Sequence, residues 1–228
     1  MEKANKNQQK KAGTIKEGAA LTELVFILDR SGSMAGLESD VVGGFNSVIT
    51  KQKELDGEAF VTTVLFDDEL KTLHDRIRLA DMSLMTKRDY IPRGCTALYD
   101  AIGYTVKHIM GIHKYARKED VPDKTIVVIT TDGMENSSSR YNRNMIRELI
   151  AEQTEKHGWE FMFLAANIDV FEEAEGIGIN RDKAISYDAT PDGVARFSCI
   201  INDYIECERN GVEWENPDKK CSTSKKKK

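Results

Sequence analysis

The feature that most constrains the fold is a repeated alternation of apolar runs of strand length with segments of helical periodicity. The apolar or β-branched runs are residues 24–28, 60–66, 126–130 and 161–165. After every run except the second, apolar residues recur at steps of three and four, which is typical of helices with one buried face. The run at 126–130 is continuous, as in a parallel strand buried on both faces. The pattern therefore predicts an α/β protein built on a layered sheet.

Weaker signals complete the sheet. Residues 70–79 alternate less regularly, as a half-exposed edge strand does, and the short link 67–69 predicts a hairpin to the preceding strand. Residues 183–187 predict a weak last strand. Thr190 followed by Pro191 predicts the N-cap and first residue of the last helix. We therefore expect six strands and about six helices in one domain.

Two adjacent glycines interrupt the first predicted helix. Gly43 and Gly44 lower its intrinsic stability, because glycine loses more backbone freedom in a helix than other residues do. A kink, close packing against a neighbouring element, or simple tolerance of the weakness would each account for the pair.

Composition indicates the cellular compartment and the domain organisation of the protein. Apolar residues make up 40% of the chain, and no apolar stretch approaches the roughly 20 residues that span a bilayer. The N-terminal residues lack the apolar core of a secretory signal, so we expect a cytoplasmic protein that does not associate with membranes. We expect a flexible basic segment at 1–20, one domain at 21–213 and a flexible Lys-rich tail at 214–228.

Charge is distributed unevenly along the chain. The net charge is −5, but residues 1–17 contain five Lys against two Glu, and residues 217–228 contain six Lys against one Asp, which leaves residues 18–216 at −13. We expect the lysine-rich tail to be solvated, and weak attraction to nucleic acid or to the acidic body of the protein is the less favoured alternative.

Oxygen-bearing side chains stand in three loops next to predicted strands or helices. Asp29, Ser31 and Ser33 lie after the first strand, Asp132 follows the most apolar strand, and Thr96 precedes an apolar helix. Ligands of open α/β sheets sit at the carboxyl ends of the strands, so we expect these side chains at one edge of the sheet. Thr96 alone is most simply an N-cap. A pair of carboxylates on adjacent strands, however, repel each other unless a cation binds, and such oxygens are the ligands that Mg²⁺ prefers.

These five positions, with the order of elements over about residues 20–210, resemble a von Willebrand factor type A (vWA) domain with an intact metal-ion-dependent adhesion site (MIDAS). The chain is similar to stand-alone bacterial or phage members of that family, which lack secretion signals. The resemblance implies a Rossmann-like three-layer α/β fold. Its six-stranded sheet would be mostly parallel with one antiparallel edge strand, here residues 70–79, and helices would cover both faces.

The resemblance also implies a function and a set of ligands. Ser31, Ser33 and Thr96 would bind Mg²⁺ directly through their hydroxyls, with Mn²⁺ or Ca²⁺ as alternative ions. Asp29 and Asp132 would act partly through water. Neutral hydroxyl ligands leave the ion much of its charge, so it would capture an Asp or Glu side chain of a partner protein. A second copy of this chain could also be the partner.

An enzyme is the alternative class. Asp29 could be the nucleophile of a Mg²⁺-dependent phosphohydrolase on a Rossmann-like sheet. Such enzymes usually have a second acid two residues after the nucleophile, where this chain has Ser31. The nucleotide-binding motifs GxxxxGK[ST] and GxGxxG do not follow the first strand. We therefore expect a protein-binding module and not an enzyme.

Overall fold

Six strands form one sheet in the part of the chain that this computed structural model describes, residues 20–217. The strands are β1 (Leu21–Asp29), β2 (Glu58–Phe66), β3 (Leu70–Arg78), β4 (Lys124–Thr131), β5 (Glu160–Ala165) and β6 (Ala184–Ser186). The α-helices are α1 (Glu38–Lys53), α2 (Leu98–Tyr115), α3 (Arg143–His157), α4 (Val170–Gly176) and α5 (Pro191–Asn210). Several strands extend beyond the apolar runs because backbone pairing continues there, as between Leu21 and Glu58.

The sheet order is β3-β2-β1-β4-β5-β6, and β3 is the antiparallel strand at one edge. All other neighbouring strands pair in parallel. This order confirms the predicted fold class, including residues 70–79 as the antiparallel edge and the hairpin at 67–69. The edge position suits β3 because its residues are exposed or half-buried, whereas β1 is buried along its whole length.

Helices cover both faces of the sheet. α1 and α5 bury one face in a core that includes Phe26 and Phe45. α2, α3 and α4 bury the other face in a core that includes Ile27 and Ile102. Phe26 and Ile27 are successive residues of β1 and belong to opposite cores, as the alternation of side chains along a strand requires. No helix within residues 20–217 has both the length and the apolar character needed to cross a membrane.

The last helix is delimited by local signals at both ends. Thr190 caps α5, since its side chain accepts a hydrogen bond from Gly193 N at 3.1 Å, and Pro191 lies in the first turn. The helix ends at Asn210, and Gly211 caps it with a φ of 65°, a value that glycine adopts without the steric cost of a side chain. Both features at the start of this helix agree with the sequence prediction.

The paired glycines of α1 permit a close approach between two helices. α1 runs unbroken through both glycines. A Cβ atom on Gly44 would lie 2.3 Å from Ser198 Oγ on α5, well inside contact distance, whereas a Cβ atom on Gly43 would meet nothing within 4 Å. Of the explanations that the sequence left open, close packing therefore applies to Gly44 and tolerance to Gly43.

Some details differ from the sequence predictions. The described residues contain five α-helices instead of about six, with four short 3-10 turns between the larger elements. Packing also continues past the expected boundary at 213, because the Trp214 and Tyr204 ring centroids are 5.1 Å apart and Asn216 Nδ2 donates to Ala184 O at 3.2 Å. Residues 1–19 and 218–228, which include most of the predicted flexible ends, lie outside the described range.

Candidate metal centre

The candidate ligands lie at the carboxyl edge of the sheet, between its two central strands. β1 and β4 are parallel neighbours, and the chain leaves them toward opposite sides of the sheet, β2 and β5 respectively. Asp29 is the last residue of β1, and Asp132 directly follows β4. A reversal of strand order opens a crevice where open α/β sheets bind ligands. The fold therefore places these two carboxylates in the position expected for a site.

The loop after β1 brings its own hydroxyls together. Ser31 N donates a hydrogen bond to Asp29 Oδ1 at 2.7 Å, which folds the loop back over the end of the strand. A short 3-10 turn over Gly32–Met34 follows, and it leaves the Ser31 and Ser33 hydroxyl oxygens 3.1 Å apart. The first three candidate ligands thus form one compact group.

The other two loops meet this group. Ser33 Oγ donates to Asp132 Oδ1 at 2.6 Å, which joins the loops after β1 and β4. Thr96 Oγ1 and Ser33 Oγ lie 3.8 and 3.9 Å from the position that a Cβ on Gly133 would occupy, so both hydroxyls face the same small space. The structure therefore brings all five predicted site residues together.

Thr96 does not cap the following helix. The N-cap of α2 is Ala97, and no side chain makes a capping hydrogen bond there. Asn136 fixes the Thr96 backbone instead, because Thr96 N donates to Asn136 Oδ1 at 2.9 Å and Asn136 N donates to Thr96 O at 3.0 Å. The simple N-cap interpretation is therefore wrong, and the Thr96 hydroxyl faces the candidate centre.

The two carboxylates are buried without a paired base. Asp29 and Asp132 are 1% and 2% exposed, and within residues 20–217 neither forms an ion pair. Burial raises the pKa of Asp29, and the charge of Asp132 adds to this, while hydrogen bonds from Thr131 and Ser31 oppose it. Burial likewise raises the pKa of Asp132 against a hydrogen bond from Ser33. A bound cation would remove the cost of keeping both groups ionised.

The oxygen atoms suit a small hard cation. Adjacent ligands in an octahedral Mg²⁺ shell lie about 3.0 Å apart, because each is about 2.1 Å from the ion and the two directions are at right angles. The Ser31–Ser33 and Ser33–Asp132 oxygen pairs are 3.1 and 2.6 Å apart. No group of three or more His, Cys, Asp or Glu side chains with metal-binding geometry occurs in residues 20–217. The candidate centre, with two carboxylates and three hydroxyls, is consistent with that finding.

Several residues that support the centre were not recognised in the sequence. The Tyr90 hydroxyl donates to Asp29 O, and the Tyr187 hydroxyl donates to Thr131 O at 3.2 Å. Asn167 Nδ2 donates to Asp132 O at 3.2 Å. Asn167 lies two residues after β5, so the rule that sites gather at strand ends could have identified it. The two tyrosines bind backbone carbonyls of distant residues, and their positions in the sequence do not indicate these contacts.

Asp67, at the end of β2, holds the loop that carries Thr96. Its carboxylate is fully buried and binds Arg30 at 3.0 Å and Arg93 at 2.8 Å. Its backbone carbonyl accepts a hydrogen bond from Ala97 N at 3.0 Å, directly beside Thr96. The sequence assigned Asp67 only to a hairpin, whereas the structure makes it a positioning residue for the site.

Comparison with known proteins supports the fold. No protein-family model matches the chain, and neither does any curated protein. Among solved structures, proximal thread matrix protein 1 of the mussel byssus is similar at 15% identity with a TM-score of 0.55, over 81% of this chain and 45% of that protein. A second structure of that mussel protein, with a zinc-occupied MIDAS motif, gives 16% identity and a TM-score of 0.56.

A bacterial domain is similar over nearly its whole length. The vWF domain of the type V pili tip protein Mfa5 from Porphyromonas gingivalis is 10% identical, with a TM-score of 0.53, over 86% of this chain and 97% of that domain. This chain spans less than half of the mussel protein but almost all of the bacterial domain. At these identities the comparison establishes the architecture, which is that of a vWA domain.

Proposed function

We propose that this protein is a metal-dependent protein-binding module. Asp29, Ser31, Ser33, Thr96 and Asp132 would hold a divalent cation, with Mg²⁺ as the expected ion and Mn²⁺ or Ca²⁺ as alternatives. The cation would bind an Asp or Glu side chain of a partner protein. The observation that carries this proposal is the convergence of three hydroxyls and two buried carboxylates at the switch point of the sheet.

The chemistry of these donors favours capture of an external carboxylate. Neutral hydroxyls as direct ligands, with the two carboxylates acting partly through water, would leave a divalent ion much of its positive charge, and the five side chains do not complete an octahedral shell. The zinc-occupied MIDAS of the mussel protein supports divalent metal binding in a related architecture. A partner carboxylate would supply the missing ligand.

The same geometry argues against Asp29 as a catalytic nucleophile. Its Oδ1 accepts a hydrogen bond from Ser31 N at 2.7 Å, and its Oδ2 accepts one from Thr131 Oγ1 at 2.6 Å. Both oxygens are therefore engaged by the protein, which suits a carboxylate that orients other ligands. We propose that the protein is not a phosphohydrolase.

Titration calorimetry with Mg²⁺, Mn²⁺ and Ca²⁺ tests the metal site. Wild-type protein should bind at least one of these ions, and Asp29→Ala and Thr96→Ala should each weaken binding at least about tenfold, since each removes a ligand or its orientation. Ser139→Ala removes an exposed hydroxyl from the loop after Asp132 and should bind as wild type does. Equal affinity in all four proteins would contradict the proposal.

Capture experiments test the partner. Proteins bound by the wild-type chain in Mg²⁺ should be released by EDTA and should not be retained by Asp29→Ala. Binding that survives both treatments would rule out a metal-bridged partner.

A screen of phosphate esters with Mg²⁺ tests the phosphohydrolase alternative. Robust turnover that Asp29→Asn abolishes would overturn the assignment as a binding module.

A further inference from the structure

A cavity of about 560 Å³, here called the basal cavity, lies at the edge of the sheet opposite the metal centre. It is bounded by the C-terminal halves of α2 and α3 and by the residues that lead into β4 and β5. Its lining includes Lys107, Lys114, Gln153, His157 and Trp159. Its volume falls within the range of small-molecule sites. None of the five candidate metal ligands belongs to its wall.

The inner wall combines apolar surface with an unused hydrogen-bond donor. Trp159 and Gln153 are 4% and 1% exposed, and Met110 and Val121 add apolar surface. Gln153 Nε2 is buried and has no hydrogen-bond partner within residues 20–217. A buried donor without a partner costs about 1–3 kcal/mol, so an acceptor atom on a ligand would recover that cost.

The rim of the cavity is basic. Lys107, His113, Lys114 and His157 line it, although the body of the protein carries a net negative charge. Three of these four lie in the last turns of α2 and α3, where basic residues also favour the helix dipole. Lys107 lies two turns before the end of α2, beyond the range of that effect. The helix dipole therefore does not explain the whole cluster.

The acidic groups near this rim are already engaged. Asp123 Oδ2 accepts a hydrogen bond from Leu21 N at 2.9 Å. Glu152 binds Lys156 at 3.1 Å, and the charges of Lys107 and His157 also act on it to lower its pKa. Lys107 and Lys114 form no salt bridge within residues 20–217, so these two lysines can still bind an anion.

A buried ion cluster also fixes one side of the cavity. His113 Nε2 lies 3.3 Å from Glu23 Oε2, an oxygen that Arg76 Nε also binds at 2.9 Å. The His113 ring meets Trp159 edge-on, with 5.5 Å between ring centroids. His113 is thus held against the indole, and the basic and aromatic parts of the wall are in contact.

We propose that the basal cavity binds a small anionic molecule with a planar apolar body. The body lies against Trp159 and Met110, the anionic group lies among Lys107, Lys114 and His157, and an oxygen of the ligand accepts from Gln153. This site is independent of the metal centre. Carboxylates and phosphate monoesters share the required chemistry.

Three probes on a naphthalene ring separate these features. 3-Hydroxy-2-naphthoate supplies a carboxylate, 2-naphthyl phosphate supplies a phosphate, and 3-hydroxy-2-naphthamide is the neutral counterpart of the first. The chain has two tryptophans, and Trp159 and Trp214 pack on opposite faces of the sheet, so their indole N–H signals report on the cavity and on the opposite core in one NMR titration. At least one anionic probe should shift the Trp159 signal saturably and leave that of Trp214 unchanged, with the same affinity in EDTA.

Charge-reversal variants test the rim. Lys107→Glu combined with Lys114→Glu should weaken binding of the anionic probe at least about tenfold, since charged contacts are lost. Lys51→Glu combined with Lys87→Glu changes the net charge equally at exposed positions outside the cavity and should leave the affinity unchanged. Gln153→Leu should also weaken binding. All substituted lysines are exposed, so the lysine variants remain informative if Gln153→Leu does not fold.

Three outcomes would overturn the proposal. The first is that no anionic probe gives a saturable shift of Trp159. The second is that the neutral amide binds as tightly as the naphthoate, which would make the cavity an apolar site. The third is that the two double charge-reversal variants weaken binding equally, which would show that the effect comes only from the net charge of the protein.

Discussion

Asp67 is a single residue on which the loops of the candidate centre depend. Its buried carboxylate binds Arg30 and Arg93 and accepts a third hydrogen bond from Glu69 N at 2.6 Å. Asp67→Ala would leave the buried Arg30 without its partner. Removal of one member of a buried ion pair costs about 3–5 kcal/mol, so we expect the free energy of unfolding to fall by about 3 kcal/mol in urea denaturation.

The neighbouring acid provides a matched control. Asp68 lies on the same hairpin but is exposed, so Asp68→Ala should change the free energy of unfolding by no more than about 0.5 kcal/mol. If the two variants have the same urea midpoint, Asp67 does not hold the loops in the way its contacts indicate.

The sequence revealed residues of the candidate centre where they lie within a few residues of the end of a strand or the start of a helix. Asp29 and Asp132 adjoin the ends of apolar runs, and Thr96 precedes an apolar helix, so position along the chain was enough to select them. Asn136 and Tyr90 lie in irregular loops and act on backbone atoms of distant residues. No periodicity marks such contacts, because they exist only after the loops have met.

At the scale of elements, the contact between α1 and α5 depends on one of two adjacent glycines. Gly44→Ala would place a methyl group 2.3 Å from Ser198 Oγ, so either Ser198 must rotate away from its hydrogen bond to Val194 O or the helices must move apart, and we expect a loss of about 1–3 kcal/mol of stability. Gly43→Ala meets open space and replaces glycine within a helix, so it should add about 0.5–1 kcal/mol. Thermal and urea denaturation of the two variants measure this difference.

A second substitution tests the cause of the Gly44 effect. Gly44→Ala combined with Ser198→Ala removes the clashing oxygen and leaves the Ser198 Cβ position at 3.5 Å, an ordinary contact distance. The double variant should recover most of the stability that Gly44→Ala loses. Equal stability of the single and double variants would show that the helix contact is not responsible.

The boundaries of elements were predictable where the signals are local, and helix docking was not. Thr190 and Pro191 fixed the start of α5 because a cap depends on residues within one turn. The different roles of Gly43 and Gly44 depend on which side of α1 faces α5, and both are glycines in sequence. Docking of two helices far apart in the chain carries no such local signal.

At the scale of the molecule, the topology followed from a few strong constraints. Continuous apolar runs require burial on both faces, so parallel strands had to be covered by helices on both sides. The weaker alternation of β3 allowed only an edge position. The basal cavity was not predictable, because its wall combines residues of α2 and α3 with segments that meet only after the helices pack on the sheet.

The proposed cation should affect the stability of the whole molecule. β1 and β4 are the central strands of the sheet, and each ends at one of the two buried carboxylates. An ion that binds the folded chain and not the unfolded one adds about 2.7 kcal/mol at 100 times its dissociation constant. In a chain of this length, each kcal/mol raises the melting temperature by about 2–4 °C.

Saturating Mg²⁺ should therefore raise the melting temperature by about 5–10 °C relative to EDTA, measured by calorimetry or circular dichroism. Asp29→Ala should show no such increase, because it lacks one carboxylate of the centre and the orientation that this group gives to Ser31. NaCl at matched ionic strength provides the control for screening of the acidic surface. An equal increase in the variant, or in NaCl, would mean that Mg²⁺ acts on general surface charge and that the central strands are not joined through a metal.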